Sequence, residues 1–329
     1  MKYLVTGGAG FIGSNFIRFM LKNHRDCRIV NLDKLTYAGN LRNLEEIEAD
    51  DRYEFVKGDI ADETLVDRLM ANVEAVVHFA AESHVDRSIS DPGTFVKTNV
   101  WGTHVLLEAA LKHGLKRFHH ISTDEVFGAL PLDNSRRFTL DTPYDPSSPY
   151  SASKAGSDHL ARAYFKTFGL PVTITNCSNN YGPYQFPEKL IPHMILKAIR
   201  NERLPVYGKG ENVRDWIHVE DHCRAIDLVL QKGAPGETYL VGGNEERTNL
   251  AVVKLILKYL GKGEDLIEFV KDRPGHDLRY AIDSSRIEQE LNFKRHFNFE
   301  DGLEQTVDWY LDNRDWVANL ESRTYSQVK

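Results

Sequence analysis

Short apolar runs alternate with longer amphipathic stretches along the first half of the chain. Apolar runs rich in β-formers predict six strands, at Tyr3–Thr6, Arg28–Leu32, Tyr53–Lys57, Ala75–Phe79, Arg117–Ser122 and Val172–Asn176. Apolar positions at helical spacing between them predict helices at Phe11–Asn23, Thr64–Ala71, Thr94–His113 and Tyr150–Phe168. Strands that are apolar on both faces, each followed by a helix, are typical of a covered parallel sheet. The pattern predicts an α/β fold with a Rossmann-type, doubly wound parallel sheet, which binds ligands beyond the carboxyl ends of its strands.

The regular alternation weakens in the second half. Gly128–Pro149 is rich in Pro, Asp and Ser and predicts a long loop, and Cys177–Pro187 is crowded with Asn, Gly, Pro and Tyr. Helices are then predicted at Lys189–Arg200, Val219–Gln231, Asn249–Leu260 and Glu300–Leu311. We interpret residues 1–176 as the sheet domain and residues 177–329 as mainly a smaller C-terminal lobe that closes over the ligand edge. A later return of the chain to the main sheet is expected at about residues 210–235.

A glycine-rich turn follows the first strand. Thr6–Gly13 satisfies G-x-x-G-x-x-G from Gly7 and G-x-G-x-x-G from Gly8. Glycines let the backbone approach a pyrophosphate closely, and the following helix presents N–H groups and a positive dipole end to it. Alone, such a string predicts only a tight turn, but its place between a strand and a helix favours dinucleotide binding.

The second strand points to the identity of the dinucleotide. It ends at Asp33, twenty residues after Gly13, where a carboxylate accepts hydrogen bonds from ribose hydroxyls and repels a 2′-phosphate. NAD is therefore favoured over NADP, although the adjacent Lys34 weakens that preference. Asp59, after the third strand, is placed to meet the adenine edge. Residues 1–176 are thus predicted to be an NAD-binding domain.

A second group of residues predicts chemistry. Tyr150 and Lys154 are four positions apart, so they share a helix face, and an ammonium beside a phenol lowers the phenol's pKa. The Tyr can then act as a base near neutral pH. Thr123, at the end of a strand, can hydrogen-bond the same substrate oxygen. Y-x-x-x-K alone is common by chance, and its plain alternative is a surface Tyr beside a solvated Lys.

With the glycine turn, these residues resemble the extended short-chain dehydrogenase/reductase family over essentially the whole chain. Arg214–Val219 is similar to a segment common in that family's nucleotide-sugar enzymes. Thr123 is followed by Asp124-Glu125, a potential acid and base that elimination needs and simple oxidation does not. The alternative interpretation is that Asp124 and Glu125 are two solvated acidic residues in a loop, with no catalytic role.

Further segments narrow the resemblance. Together with Thr123–Glu125, the segments Ala81–Ser88, Asn176–Pro183 and Asp272–Asp277 are similar to the 4,6-dehydratases of sugar nucleotides within that family. Phe127 departs from the Tyr that is usual there.

The resemblance implies a hydro-lyase that uses tightly bound NAD and takes dTDP-glucose to its 4-keto-6-deoxy product. In it, Tyr150 removes the 4-hydroxyl proton as NAD⁺ takes the C4 hydride, Glu125 removes the C5 proton, Asp124 protonates the departing 6-hydroxyl, and the hydride returns to C6. The implied catalytic residues are Thr123, Asp124, Glu125, Tyr150 and Lys154. The implied cofactor-binding residues are Gly7, Gly10, Phe11, Ile12, Gly13, Asp33, Lys34, Thr36, Asp59, Ile60, Ala80, Ala81, Thr98, Tyr150, Lys154 and Asn180. The implied substrate-binding residues are Ser83, Thr123, Asn179, Lys189, Tyr207, Arg214, Asn249, Arg273 and His276. In the family, the helices Thr94–His113 and Tyr150–Phe168 pair with their copies in a homodimer.

Composition excludes several other classes of protein. The 329 residues are 41% hydrophobic and 27% charged, which is ordinary globular material. A formal charge of −7 disfavours nucleic acid and anionic membranes as partners, and no apolar run approaches the roughly 18 residues of a membrane helix.

The N-terminus runs straight into the glycine turn, so no signal peptide is expected. Cys27, Cys177 and Cys223 form no disulfide or metal pattern, which favours a reducing cytoplasm. No metal is expected at His218 and His222, since the chemistry needs none.

Other functions stay open at this point. A UDP-glucose 4-epimerase is disfavoured by Asp124-Glu125, because epimerisation needs no proton transfer at C5 and C6. A UDP-glucuronate decarboxylase is not excluded by spacing alone. From another class, a non-catalytic NAD-sensing regulator is disfavoured by the intact Thr123, Tyr150 and Lys154.

Overall fold

The computed structural model describes residues 1–132, 135–272 and 276–327, with side chains described up to residue 320. The strands in these ranges are β1 (Lys2–Thr6), β2 (Arg28–Asp33), β3 (Tyr53–Lys57), β4 (Ala75–His78), β5 (Arg117–Thr123), β6 (Val172–Cys177), β7 (Asn179–Tyr181), β8 (Leu204–Tyr207), β9 (Val213–His218), β10 (Thr238–Val241), β11 (Glu246–Thr248) and β12 (Ile267–Val270). The helices are α1 (Phe11–Asn23), α2 (Glu63–Met70), α3 (Val85–Ser90), α4 (Pro92–Phe95), α5 (Thr103–Lys112), α6 (Pro149–Phe168), α7 (Leu190–Ile199), α8 (Val219–Lys232), α9 (Asn249–Tyr259), α10 (Ser285–Leu291), α11 (Phe299–Asp312) and α12 (Arg314–Gln327).

Seven strands form one parallel sheet in the order β10-β6-β5-β4-β1-β2-β3. Every strand predicted in the first half is present, and the predicted fold class is confirmed. The sheet is covered on both faces because its strands are apolar on both. One apolar core, which includes Leu4, Val76 and Val172, packs under α2, α5 and α6, and another, which includes Val5 and Val77, packs under α1 and α8. The strand order reverses between β1 and β4, which is where a doubly wound sheet binds its ligand.

The predicted helix Thr94–His113 is not one continuous α-helix. A π-helical segment, Val96–Gly102, separates α4 from α5. Within it, Asn99 is buried and hydrogen-bonds the backbone of Glu82 and the hydroxyl of Ser153 at 2.8–3.0 Å. A 3.6-residue pattern does not reveal such an insertion, because the apolar positions on both sides of it remain helical.

The later chain is divided between the main sheet and a smaller lobe. Helix α8 packs on the sheet beside α1, and β10 is the seventh strand. The predicted return at 210–235 therefore includes α8, whereas β10 lies just beyond it. Strand β9 belongs to a separate sheet, in the order β11-β9-β7, and β12 pairs with β8. The lobe has its own core, built chiefly from α7, α9 and α11. The division at residue 177 stays a prediction.

The predicted loop at Gly128–Pro149 has no regular helix or strand before α6 among its described residues, only bridges from Leu130 and Phe138 to residues 279 and 282. A search for helices long and apolar enough to cross a membrane found none in the part of the chain that the structure describes.

Candidate active site

A cavity of about 320 Å³ lies at the carboxyl end of the sheet, between it and the lobe. It is lined by all five predicted catalytic residues, by every predicted cofactor residue, and by three further substrate candidates, Ser83, Asn179 and Lys189. The structure thus brings together residues that are far apart in the sequence, from Gly7 to Lys189. Their individual roles remain predictions.

The glycine turn is built from close backbone contacts. Gly7 has φ +72°, and a Cβ there would lie 2.6 Å from the backbone nitrogen of Ala80 on the neighbouring strand's loop. A Cβ at Gly13 would lie 2.4 Å from the Gly7 carbonyl oxygen. Helix α1 begins directly after Gly10, so its first N–H groups face the cavity without intrahelical partners. This cradle fits the pyrophosphate of a dinucleotide.

Gly7→Ala is expected to destabilise the fold and to strip NAD from the purified protein. Gly169→Ala is the matched control, since Gly169 has φ +73° and a Cβ added there would meet no atom within 4 Å. The control should lose about 1 kcal/mol from backbone strain, and Gly7→Ala about 1–3 kcal/mol more, because Ala80 must move. Urea unfolding and the NAD content of each protein measure the two effects. Equal losses in both variants would contradict the close-contact interpretation.

Asp33, at the end of β2, is held in place by the backbone. It accepts hydrogen bonds from Ala9 N at 2.9 Å and Leu35 N at 2.8 Å, and burial raises the pKa of its carboxyl. Lys34 forms an ion pair with Asp59 at 2.8 Å. Because the carboxylate of Asp59 neutralises the charge of Lys34, the lysine is less available to bind a 2′-phosphate. The arrangement fits NAD.

The acidic pair lies in a single turn after β5. Thr123 Oγ1 accepts from Glu125 N at 3.3 Å and so caps the turn Asp124–Phe127. Asp124 is 2% exposed, and its Oδ2 has no hydrogen-bond partner among the described residues. Burial, then the charges of Glu125 and Asp215, raise the pKa of Asp124 well above its usual value. Burial and the neighbouring carboxylates thus favour the protonated form of Asp124, next to a second carboxyl group.

Tyr150 and Lys154 lie near the start of α6, which begins with a capping box between Ser148 and Ser151. Tyr150 lies close enough to Thr123 for the threonine hydroxyl to act on the phenol, whereas the ammonium of Lys154 donates to Ile121 O at 2.7 Å. Burial lowers the pKa of Lys154 to about 8. The expected lowering of the Tyr150 pKa is wrong for this structure: burial, followed by the negative charge of Glu125, raises it well above its usual value.

Lys154→Met is expected to stabilise the protein at neutral pH by about 2 kcal/mol, because the buried ammonium disfavours folding. Below pH 8 the folded and unfolded forms are both charged, and the full cost is present. As pH rises from about 8 to 10.5, the folded protein releases the proton first, so the wild type gains stability and the difference shrinks. Urea unfolding of both proteins at neutral and alkaline pH measures this. The exposed Lys166→Met is the control, and a pH-independent difference would contradict the prediction.

Four other predicted substrate residues, Tyr207, Arg214, Asn249 and His276, do not line this cavity. Arg214 lies beyond Asp124, is buried, and stacks 4.3 Å from the ring centre of Tyr280 while donating to Asp277 O at 3.0 Å. Tyr207 and His276 meet edge to face with ring centres 6.1 Å apart. Asn249 begins α9 and has a buried Oδ1 without a partner in the described part of the chain. Arg273 lies outside the described residues.

Two side chains near the cavity were missed by the sequence reasoning. Tyr280 lies close enough to Glu125 and Arg214 for their charges to act on it, and burial raises its pKa well above the usual value. Its only sequence signal is its place just after Asp272–Asp277. Glu188 lines the cavity and pairs with His84 at 3.5 Å, although nothing in its local sequence marks it.

Several buried histidines among the described residues form contacts inside the protein. His119 and His120 alternate on β5, and both are fully buried because both faces of the sheet are covered. His120 lies 3.1 Å from Asp158, and His222 hydrogen-bonds Asn180 at 2.8 Å. No cluster of metal-ligating side chains occurs in the ranges that the structure describes.

The fold and the cavity define an NAD-binding enzyme of the short-chain dehydrogenase/reductase class, with an added acidic pair. A family model described as GDP-mannose 4,6 dehydratase matches residues 4–306. A dTDP-glucose 4,6-dehydratase from Escherichia coli is 52% identical, over 99% of this chain and 98% of the relative. One from Neisseria meningitidis is 53% identical, over 98% and 97%. The chain belongs to the dTDP-glucose 4,6-dehydratase family, and the resemblance seen in the sequence is confirmed.

Solved structures agree with this assignment. A dTDP-glucose 4,6-dehydratase from Streptomyces venezuelae, crystallised with NAD bound, superposes with a TM-score of 0.93 at 51% identity, covering 96% of this chain and 98% of that one. A UDP-glucuronic acid 4-epimerase from Bacillus cereus shares the fold at a TM-score of 0.89, but only 30% identity, over 95% and 99% of the two chains. The predicted cofactor, NAD, is confirmed.

Proposed function

We propose that this enzyme converts dTDP-glucose into dTDP-4-keto-6-deoxyglucose with loss of water across C5 and C6. The observation that carries the proposal is the meeting, in one cavity, of the glycine turn with Thr123, Tyr150 and the pair Asp124-Glu125. Oxidation of a sugar hydroxyl needs the turn, the Tyr and the Thr. An acid and a base beside them add the means to eliminate water.

The first proton transfer is assigned to Tyr150. As a phenolate it takes the proton of the substrate 4-hydroxyl, and Thr123, whose hydroxyl lies close to the phenol, is placed to hydrogen-bond the same substrate oxygen. Bound NAD⁺ supplies reversible hydride transfer, first from C4 and finally to C6, and a positive charge that favours the phenolate. Lys154 adds positive charge behind the ring, since most of it is protonated at neutral pH with a pKa of about 8.

Elimination is assigned to the acidic pair. A ketone at C4 makes the C5 proton acidic, and Glu125 removes it to give an enolate, whose electron pair forms the C5–C6 double bond as the 6-oxygen departs. Asp124 gives its proton to the 6-oxygen, which leaves as water with the bonding pair of the C6–O bond. Glu125 then returns a proton to C5 as C6 is reduced. This step requires a protonated Asp124, and burial, which raises the pKa of that carboxyl group, favours this form.

The diphosphate needs cations. Arg214 is bonded to two backbone carbonyls, Val213 O at 2.9 Å and Asp277 O at 3.0 Å, which orient the guanidinium without neutralising it. Lys189 donates to Ser83 O at 3.1 Å on the edge of the cavity. We assign Arg273, with Arg214, to the diphosphate. The remaining sugar and nucleoside contacts are assigned to Asn179, Tyr207, Asn249 and His276.

The alternatives are less compatible with the cavity. Epimerisation at C4 involves no proton transfer at C5 or C6, so an epimerase has no use for the two adjacent carboxyl groups of Asp124 and Glu125 in the cavity. A non-catalytic NAD sensor has no need for Thr123, Tyr150 and Lys154 to line the same space as the glycine turn.

A substrate panel tests the proposal. The purified enzyme is incubated, without added NAD, with dTDP-glucose, UDP-glucose, CDP-glucose or GDP-glucose. Formation of a 4-keto sugar is followed by its absorbance in alkali. Fastest product formation from dTDP-glucose is expected. A galactose product without keto sugar would identify an epimerase, and NAD binding without turnover of any substrate would identify a sensor.

We infer that the enzyme is a homodimer. Large apolar side chains are exposed on two neighbouring parts of the chain. Ile89 (61% exposed), Val96 and Trp101 lie between α3 and the end of the π-helical segment, and Phe168 ends α6. Burying such a surface against its own copy gives a symmetric interface. Sedimentation equilibrium that returned a monomer mass would overturn this inference. The cytoplasmic location also stays a proposal; it is supported by three free, buried cysteines.

A further inference from the structure

Helix α12 folds back against the dinucleotide-binding side of the molecule. Its Trp316 side chain is 6% exposed and packs against Trp309 and Tyr310 of α11, with ring centres 5.0 and 6.2 Å apart. The indole nitrogen does not end in this aromatic cluster. It donates a hydrogen bond at 2.8 Å to Oδ1 of Asn43, which is 273 residues away in sequence.

Asn43 connects α12 to the glycine turn. It lies in the short turn Leu41–Ile47 and is 2% exposed. Its Nδ2 donates to Ala9 O at 2.9 Å. An indole N–H can only donate and a carbonyl can only accept, so both partners are satisfied in just one of the two flipped orientations of the amide. Trp316 therefore selects the orientation in which Asn43 holds Ala9.

Ala9 lies inside the glycine turn, and both of its backbone polar groups are engaged. Its carbonyl also accepts from Asn40 N at 2.9 Å, and its N–H donates to Asp33 Oδ2 at 2.9 Å. A continuous chain of buried hydrogen bonds thus runs from Trp316 through Asn43 and Ala9 to the carboxylate at the ribose position. In such networks the loss of one member weakens the others.

We propose that Trp316 is a positioning residue for the dinucleotide site, a role that rests on the NAD-dependent function proposed above. It touches no reacting atom. By holding the Asn43 amide in one orientation, it fixes the Ala9 peptide. The glycine turn and Asp33 are thereby kept in the geometry that binds NAD. Without the indole donor, Asn43 Oδ1 is left buried and unpaired, and the amide rotates to find another partner.

The test is the rate at which the full-length enzyme exchanges bound NAD for isotope-labelled NAD. Trp316→Phe keeps an aromatic ring and removes the donor, and is expected to release NAD about fivefold faster, since weaker grip appears mainly in dissociation. Trp309→Phe is the matched control, because it makes the same change in the same aromatic cluster and should leave the exchange rate unchanged. With saturating NAD, kcat of Trp316→Phe should equal that of the wild type.

Two further variants separate positioning from general stability. Asn43→Asp leaves an acceptor for the indole and removes the donor to Ala9, so it should speed NAD release even if Trp316→Phe fails to fold. Trp316→Phe combined with Asn43→Ala should release NAD no faster than Asn43→Ala alone. Unchanged exchange in Trp316→Phe, or equal acceleration in Trp309→Phe, would overturn the proposal. A wild-type enzyme that held no NAD would instead overturn the cofactor-dependent function itself.

Discussion

Glu125→Gln is expected to slow the dehydration of dTDP-glucose by about 10²–10⁴-fold, the usual contribution of a positioned base. The amide has the size of the carboxylate but cannot take the C5 proton, so binding of the sugar nucleotide should change little. Turnover in deuterated water gives an independent readout. The wild type should place deuterium at C5 of the product, and the variant should lose this exchange along with the rate.

Asp124→Asn is the partner experiment. It removes the neutral acid whose pKa is raised by burial and by neighbouring charge, so elimination should slow while proton exchange at C5 continues. The two variants are therefore distinguishable by their exchange behaviour. Dehydration at the wild-type rate in both would show that the acidic pair has no part in the chemistry.

Tyr150→Phe is expected to lower kcat by about 10²–10⁴-fold at an earlier step, the removal of the 4-hydroxyl proton. Because C4–H cleavage then limits the rate, deuterium at C4 of the substrate should slow the variant, whereas deuterium at C5 should not. Stopped-flow and steady-state rates with labelled substrates measure this. The difference from Glu125→Gln lies in which carbon shows the isotope effect.

Tyr239→Phe is the matched control for Tyr150→Phe. Tyr239 is also buried and its hydroxyl accepts a hydrogen bond from Ala234 N at 3.2 Å, but it lies on β10 and does not line the cavity. It should keep the wild-type rate. A Tyr150→Phe enzyme as active as this control would require another base for the first step.

Most of what the sequence predicted is local. Alternating apolar runs located β1 to β6, and Gly7 and Gly13 identified the dinucleotide turn, because backbone conformation and close approach depend on these residues themselves. The Tyr150–Lys154 spacing follows from the helix repeat alone. The acidic pair could be identified from the sequence because Asp124 and Glu125 are adjacent in the chain.

Other features depended on contacts between distant residues. The π-helical segment around Asn99 and the joining of β10 to the sheet leave no periodic signal in their own sequence. The same holds for the protonation states: Lys154 beside Tyr150 predicted an acidic phenol, whereas the enclosure of that ring and the approach of Glu125 produce the opposite shift.

The amino-acid sequence by itself determined the sheet, the cofactor turn, the set of reactive groups and the family. Only the tertiary structure decided that the pKa of Asp124 is raised, that the pKa of the Tyr150 phenol rises, and that Trp316 reaches Ala9 through Asn43. The physical reason is that conformational preferences and periodicity act over a few neighbouring residues. Desolvation, charge proximity and buried hydrogen bonds are instead set by whichever distant segments the fold packs together.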